Sequence, residues 1–277
     1  MDVRSLRGRS VVVTGAASGI GLASALAFAR RGADLFVCDL DEAGLEAAAE
    51  RIRVTGVRAT TRRVDVADAD DMEAFAETVH REVEAVDIVM NNAGVAVVGP
   101  FLSTSLEQWR WILGINTMGV VHGCHFFVPK MVERGRGGHV INVSSAAGYS
   151  ATSLLPAYNA TKFSVLGLSE ALWEELRPHG IGVTAVCPGL IDTPITRNAQ
   201  TVGDMAAPGR REEMVEGYRR RAYGPERVAE KVLAAVQRDR LVAPVAPEAW
   251  VLYYLKRFAP WLLRRISRRA AARRMAP

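Results

Sequence analysis

Tyr158 and Lys162 stand four residues apart in Tyr158-Asn159-Ala160-Thr161-Lys162, inside an apolar, helix-patterned segment that opens near Pro156. Residues at i and i+4 share a helix face, so an ammonium can sit close to a phenol. A phenol ordinarily titrates at about 10, too high for a base near neutrality, and a neighbouring cation favours the phenolate. The pair therefore reads as a tunable acid/base. Tyr-x3-Lys is common by chance, however, and a structural tyrosine is the better reading unless other groups accompany it. Ser144 and Ser145 follow the strand-like run His139-Val140-Ile141-Asn142-Val143, and a hydroxyl at that strand end could hold a substrate oxygen beside the phenol. Asn91-Asn92-Ala93-Gly94 closes an earlier apolar run in the same way. Asn116 lies in the helical stretch 106–132, where a buried Asn must find hydrogen-bond partners; a satisfied core Asn is the competing reading.

A second group of residues suits a phosphate. Thr14-Gly15-Ala16-Ala17-Ser18-Gly19-Ile20-Gly21 links the first strand-like run to an Ala/Leu-rich helix. Glycines at such a junction let the chain turn sharply and let a pyrophosphate approach main-chain N–H groups at a helix N-terminus. The spacing is Gly-x3-Gly-x-Gly, so an ordinary glycine-rich turn remains the alternative. Asp39 ends the next run, 18 residues after Gly21, where a carboxylate can accept from both hydroxyls of an adenosine ribose and repel a 2′-phosphate. Neither Ser18 nor Leu40 supplies a positive charge, so NAD is preferred over NADP. A solvated strand end or a helix N-cap is the other reading of Asp39.

The elements that must position these residues are legible as alternation. Strand-like runs occur at 10–14, 33–39, 57–65, 86–91, 139–144, 182–187 and 241–245, mostly separated by segments of 3.6-residue apolar spacing such as Met72, Phe75, Ala76 and Val79. The pattern predicts an α/β fold: a doubly wound, parallel, seven-stranded sheet with helices on both faces. The 277 residues, 49% hydrophobic and 23% charged, are ample for one large core and exclude a disordered or collagen-like chain. Three scattered cysteines, Cys38, Cys124 and Cys187, support neither a disulfide framework nor a metal site, so no metal is expected. With no apolar leader before Ser10 and no uninterrupted apolar run of 18 residues, the reading is cytoplasmic.

In motif order, residues 8 to about 245 resemble the short-chain dehydrogenases/reductases, a Rossmann-type family. The residues that carry the resemblance are Thr14 to Gly21, Asp39, Asp65 in Val64-Asp65-Val66, Asn91 to Gly94, Asn116, Ser145, Tyr158 with Lys162, and Pro188-Gly189 followed by Thr193. Ser145 precedes Tyr158 by 13 residues, as that family's serine usually does, and so is chosen over Ser144. The resemblance implies that Tyr158 is the general acid/base and that Lys162 binds the nicotinamide ribose and favours the phenolate. Ser145 would orient the substrate oxygen, and Asn116 would hold a water linking Lys162 to solvent. It further implies cofactor contacts from Gly15, Ser18, Gly19, Ile20, Gly21, Asp39, Asn92, Ala93, Gly94, Pro188 and Gly189. Asp65 and Val66 would flank the adenine and Thr193 would reach the carboxamide. The implied activity is NAD-dependent oxidation of a secondary alcohol or reduction of its ketone. A biosynthetic ketoreductase of 3-oxoacyl, steroid or terpenoid type and a non-catalytic NAD(H) sensor or scaffold are the alternatives.

Two segments lie beyond the shared motifs. Residues 190–225 read as a lid within a catalytic domain 1–245, and Val95, Val97, Val98, Leu154, Leu155 and Ile195 suggest a lipophilic substrate. Residues 246–277 form an extension holding eight Lys/Arg against one acid, Glu248; since the whole chain is +5, the rest is nearly neutral and no nucleic-acid partner is expected. Pro260 divides this extension. Its aromatic and basic residues over 249–274 either pack on the lid or a partner subunit, or lie peripherally on an anionic membrane. Apolar excess on 106–132 and 157–177, including Trp109, Trp111, Phe126, Phe163 and Trp173, suggests a subunit interface, and the resemblance implies a homodimer or homotetramer.

Overall fold

The structure, a computed structural model, describes residues 1–221 and 223–275, and side chains through Arg269 except at Ala222. Arg273 and Arg274 of the basic extension lie outside the described side chains. Seven parallel strands form one sheet: β1 (Ser10–Thr14), β2 (Asp34–Asp39), β3 (Ala59–Arg63), β4 (Ile88–Asn91), β6 (Gly138–Val143), β7 (Ile181–Cys187) and β9 (Val242–Pro244), in the order β3-β2-β1-β4-β6-β7-β9. These are the seven runs read from the sequence. Between them in the chain come β5 (Val97–Val98) and β8 (Gln200–Thr201), which pair with each other in a separate two-stranded sheet.

Strand side chains alternate between two cores. Val11 and Val13 of β1, Leu35 and Val37 of β2, and Ile88 and Met90 of β4 join one core with α1 (Gly19–Ala29), α2 (Glu42–Arg53) and α9 (Pro225–Gln237). Val12, Phe36, Val89 and Val140 point the other way, into a core with α3 (Ala69–Glu82), α5 (Gly119–Arg134) and α6 (Pro156–Leu176). Period-two alternation with both faces covered explains why the strands are apolar at nearly every position. The order reverses between β1 and β4, which opens a crevice at their carboxyl ends.

The helical stretch read as 106–132 is not one α-helix. Its first part, α4 (Leu106–Leu113), is started by a Ser105/Gln108 capping box, then a π-helical turn covers Gly114–Met118 before α5 begins. Taken whole, Leu106–Arg134 is long and apolar enough by composition to cross a membrane, yet Phe127, Val128 and Met131 are buried against the sheet. The region 190–225 holds α7 (Pro194–Arg197), β8 and α8 (Arg210–Arg219). The C-terminal extension forms α10 (Pro247–Phe258) and α11 (Pro260–Met275), broken where Pro260 was expected to break it.

Candidate active site

The carboxyl ends of β1, β2, β4, β6 and β7 bring the sequence-derived candidates together. On the phosphate side, Gly15 and Gly19 have φ of +67° and +55°, conformations in which a side chain is strained. A Cβ on Gly21 would run into the Gly15 carbonyl, so the helix can start this close to β1 only because position 21 is glycine. Asn92 fastens the loop by donating its amide hydrogens to the Thr14 and Gly15 carbonyls, at 2.9 and 3.0 Å. The N–H groups of Asn92 and Ala93 donate in turn to Thr14 Oγ1. While α2 and α3 are capped by Asp41 and Asp68, α1 has no side-chain cap and no acid in its first turn. Its N-terminal N–H groups are thus available to an anion.

Asp39 accepts from Ala17 N at 2.9 Å and from Asp41 N at 3.1 Å, one bond to each carboxylate oxygen. A carboxylate has about four acceptor positions, so capacity remains for a pair of hydroxyls. Asp65 accepts from Ala67 N and shapes its own turn, while Val66 is buried against Gly119. Thr193 is buried, and its methyl group would meet a Cβ on Gly19 at 3.4 Å, which places the start of the lid over the glycine loop. Ile20 packs against the first core. This arrangement of donors, glycines and one carboxylate fits a dinucleotide.

On the other side, α6 carries Tyr158 and Lys162 on one face, with the ammonium 5.6 Å from the phenol ring centroid and hydrogen-bonded to the Val143 carbonyl at 2.9 Å. Ser144 is turned away, donating to the Lys162 carbonyl at 2.7 Å, whereas the Ser145 hydroxyl is near enough to the Tyr158 phenol to favour its ionised form. Ser145 Oγ also accepts from Ala147 N and lies 3.5 Å from the Pro188 carbonyl. The π-helical turn presents Asn116, whose amide hydrogens go to Val95 O and Thr161 Oγ1 and whose Oδ1 accepts from Val95 N. Both Asn116 amide hydrogens are therefore used by protein, and only one Oδ1 lone pair is left for the water expected there. That oxygen and Lys162 Nζ border the same space, at 3.2 and 3.5 Å from a Cβ placed on Gly94.

Burial dominates the electrostatics of the pair. Burial pushes the Tyr158 phenol up to about 12, opposed by the neighbouring Ser145 hydroxyl and reinforced by Tyr218 of α8. Burial likewise brings Lys162 down to about 8. Desolvation is the largest influence on both groups, and the Lys162 ammonium is held by the Val143 carbonyl.

Several groups at the site escaped the sequence reading. Trp109 and Trp111, read as interface residues, pack with Tyr158, Val95 and Val202 around Val97, Ile112 and Ala157. Of the five aromatic residues named for the interface, only Phe163 is exposed. Tyr218 and Glu248 also stand nearby; the first was lost among charged neighbours and the second was counted only as the exception in a basic tail. Gly189 is glycine because the Glu248 carboxylate occupies the place its Cβ would take.

A family model described as short chain dehydrogenase matches residues 9–202. The chain belongs to the short-chain dehydrogenase family. Among relatives, a protein named probable oxidoreductase EphD from Mycobacterium tuberculosis is 44% identical over 266 residues, which is 93% of this chain and 44% of EphD. This chain therefore spans under half the length of that relative. A 1-deoxy-11-beta-hydroxypentalenate dehydrogenase from Streptomyces exfoliatus is 36% identical over 194 residues, covering 69% of this chain and 70% of its own. Among solved short-chain dehydrogenases, one from Burkholderia phymatum in complex with NAD superimposes with a TM-score of 0.83 at 28% identity, over 92% of this chain and 94% of its own. One from Sphingobium yanoikuyae in complex with NADPH gives 0.75 at 29% identity, over 97% and 96%. The seven-stranded sheet is that of the Rossmann-type family, and these two solved relatives hold NAD and NADPH respectively.

Proposed function

We propose that this short-chain dehydrogenase is an NAD-dependent oxidoreductase interconverting a lipophilic secondary alcohol and its ketone, with Tyr158 as general acid/base. The observation that carries the reading is the convergence of Tyr158, buried Lys162 on the same helix face and Ser145 on the crevice bordered by the uncapped start of α1. A nicotinamide bound there supplies the hydride acceptor or donor. The rest of the chemistry falls to the chain. Ser145 orients the substrate oxygen toward the phenol, and Tyr158 gives or takes the proton at its Oη. With its pKa near 12, the phenol is protonated at neutrality and ready to donate toward the alcohol; the oxidative direction needs the phenolate, which Ser145 stabilises. Asn116, Gly94 and Lys162 border the route by which a proton leaves.

Asp39 supports NAD over NADP, since a second negative charge on the ribose would face its carboxylate. Support for an apolar substrate comes from Val95, Val97, Leu154, Leu155, Ile195, Trp109 and Trp111. A relative named 1-deoxy-11-beta-hydroxypentalenate dehydrogenase supports a hydroxyl-bearing substrate. The exposed Phe101, Leu102, Leu106, Leu113 and Met118 support a homodimer or homotetramer, which sedimentation tests. For the extension, the outer face of α10 and α11 supports peripheral contact between a cytoplasmic protein and anionic lipid.

The test is NADH formation at mildly alkaline pH over a panel of lipophilic secondary alcohols, with NADP run alongside. Turnover with NAD and at least about a hundredfold lower kcat/KM with NADP are expected. Equal use of NADP would overturn the role of Asp39. Silence across the panel with NADH binding intact would favour the sensor reading.

A further inference from the structure

Glu248 is the single acid in a strongly basic extension, and it is turned inward. Its Oε1 accepts from Leu190 N at 2.8 Å and lies 3.4 Å from Arg221 Nη1. Leu190 opens the lid, and Arg221 lies in its closing segment, four residues before Pro225. Beside them the two stems touch through Asp192 N and the Tyr223 carbonyl at 3.4 Å, a long bond. A Cβ on Gly189 would lie 2.8 Å from the Glu248 carboxyl carbon, so the chain keeps this position open for the carboxylate. Residues near Glu248 on either side of the junction are fastened as well. Val245 N donates to the Cys187 carbonyl at 3.2 Å, Tyr223 Oη to the Val245 carbonyl at 3.2 Å, and Tyr149 Oη to the Ala249 carbonyl at 2.6 Å.

We propose that Glu248 is a positioning residue that pins both stems of the lid to α10 and so sets where the lid stands over the active site. Three residues past Leu190, Thr193 precedes α7 against Gly19; three residues before Arg221, Tyr218 lies within electrostatic range of Tyr158. A carboxylate is suited to this place because one oxygen receives a charge-assisted hydrogen bond from a main-chain N–H and an ion pair from the opposite stem. An amide keeps the first and loses the second. An alanine loses both. The extension is thereby part of the cofactor and substrate enclosure, not an appendage to it.

The proposal rests on the reading of 190–225 as the cover of a dehydrogenase site, so its test begins with a readout that needs no turnover. Arg197, Arg210, Arg211 and Arg219 supply trypsin sites inside the lid. Under native conditions Glu248→Ala is expected to raise lid cleavage about tenfold, the effect of losing one charge-assisted hydrogen bond, with an unchanged urea midpoint. Glu248→Gln and Arg221→Met should each give a smaller rise, and the double variant should be no worse than either alone. In turnover, KM for the cofactor should rise more than kcat falls in Glu248→Ala. Unchanged lid cleavage in Glu248→Ala would overturn the proposal. So would cleavage that rises only in step with a lowered urea midpoint, since that marks an ordinary packing residue. Failure of the alcohol panel leaves the cleavage result standing, so the two readings fail separately.

Discussion

Replacing Lys162 by Met should make the protein more stable at neutral pH while removing turnover. Lys162 is 3% exposed, its ammonium has one hydrogen-bond partner, the Val143 carbonyl, and burial brings its pKa from 10.5 to about 8. Holding the charged form in that site below pH 8 costs about 3 kcal/mol relative to the unfolded chain. Met has a similar length and no charge; its penalty is the Val143 carbonyl left without this donor, about 1 kcal/mol. The net expectation is a gain of about 2 kcal/mol at pH 7. The sign of the pH dependence is fixed as well. Between the folded pKa of about 8 and the unfolded 10.5, the unfolded chain binds more protons, so wild-type stability rises with pH relative to the Met variant. The gap should therefore be widest below pH 8 and close by about pH 10.5. Urea unfolding of both proteins from pH 7 to 10, followed by tryptophan fluorescence, reads the difference directly. A Met variant no more stable than wild type at pH 7, or a gap that does not narrow with pH, would refute the burial argument.

Three further outcomes are expected. Gly21→Ala, whose Cβ meets the Gly15 carbonyl, should lose NADH binding in a fluorescence titration and about 1–3 kcal/mol of stability, whereas Gly217→Ala in α8, with open space around it, should be neutral or slightly stabilising. His139 is buried, bonded to Thr184 Oγ1 at 2.8 Å, and pushed down to about 3, so it stays neutral in the fold as the unfolded chain takes up a proton below pH 6.5. Stability should fall between pH 6.5 and 3 by up to about 1.4 kcal/mol per pH unit from this group, and His139→Gln should fall less steeply in acid urea titrations. The exposed Val251, Tyr254, Phe258 and Trp261, beside Arg264, Arg265, Arg268 and Arg269, should carry the protein to the top of a flotation gradient with anionic vesicles and not with zwitterionic ones; sedimentation with both at low salt would remove the lipid reading.

Most of the scaffold was legible because its physics is local. A doubly covered strand must be apolar on both faces, and Val11-Val12-Val13 or Leu35-Phe36-Val37 announce that without any partner in view. The candidate residues were legible because strand ends meet one crevice in this topology. What stayed hidden depends on long-range pairing. The two-residue strands at Val97 and Gln200 have no pattern of their own, and the π-helical turn around Asn116 follows from packing, not propensity. Glu248 reaches a partner 58 residues away, and its one sequence signal was being the only acid among eight cations. Trp109 and Trp111 read as surplus apolar surface because sequence spacing does not tell which side of a short helix faces Tyr158.

Tyr158→Phe tests the central claim most directly. The substitution removes one oxygen and leaves the ring that packs with Trp109, Trp111 and Val97. Measured side by side, turnover on the best alcohol of the panel should fall by about a thousandfold or more, the range of a lost general acid/base, while NADH affinity stays within about twofold. Retained turnover would contradict the assignment of the proton transfer to Tyr158, and lost NADH binding with an altered fold would make the residue a structural one.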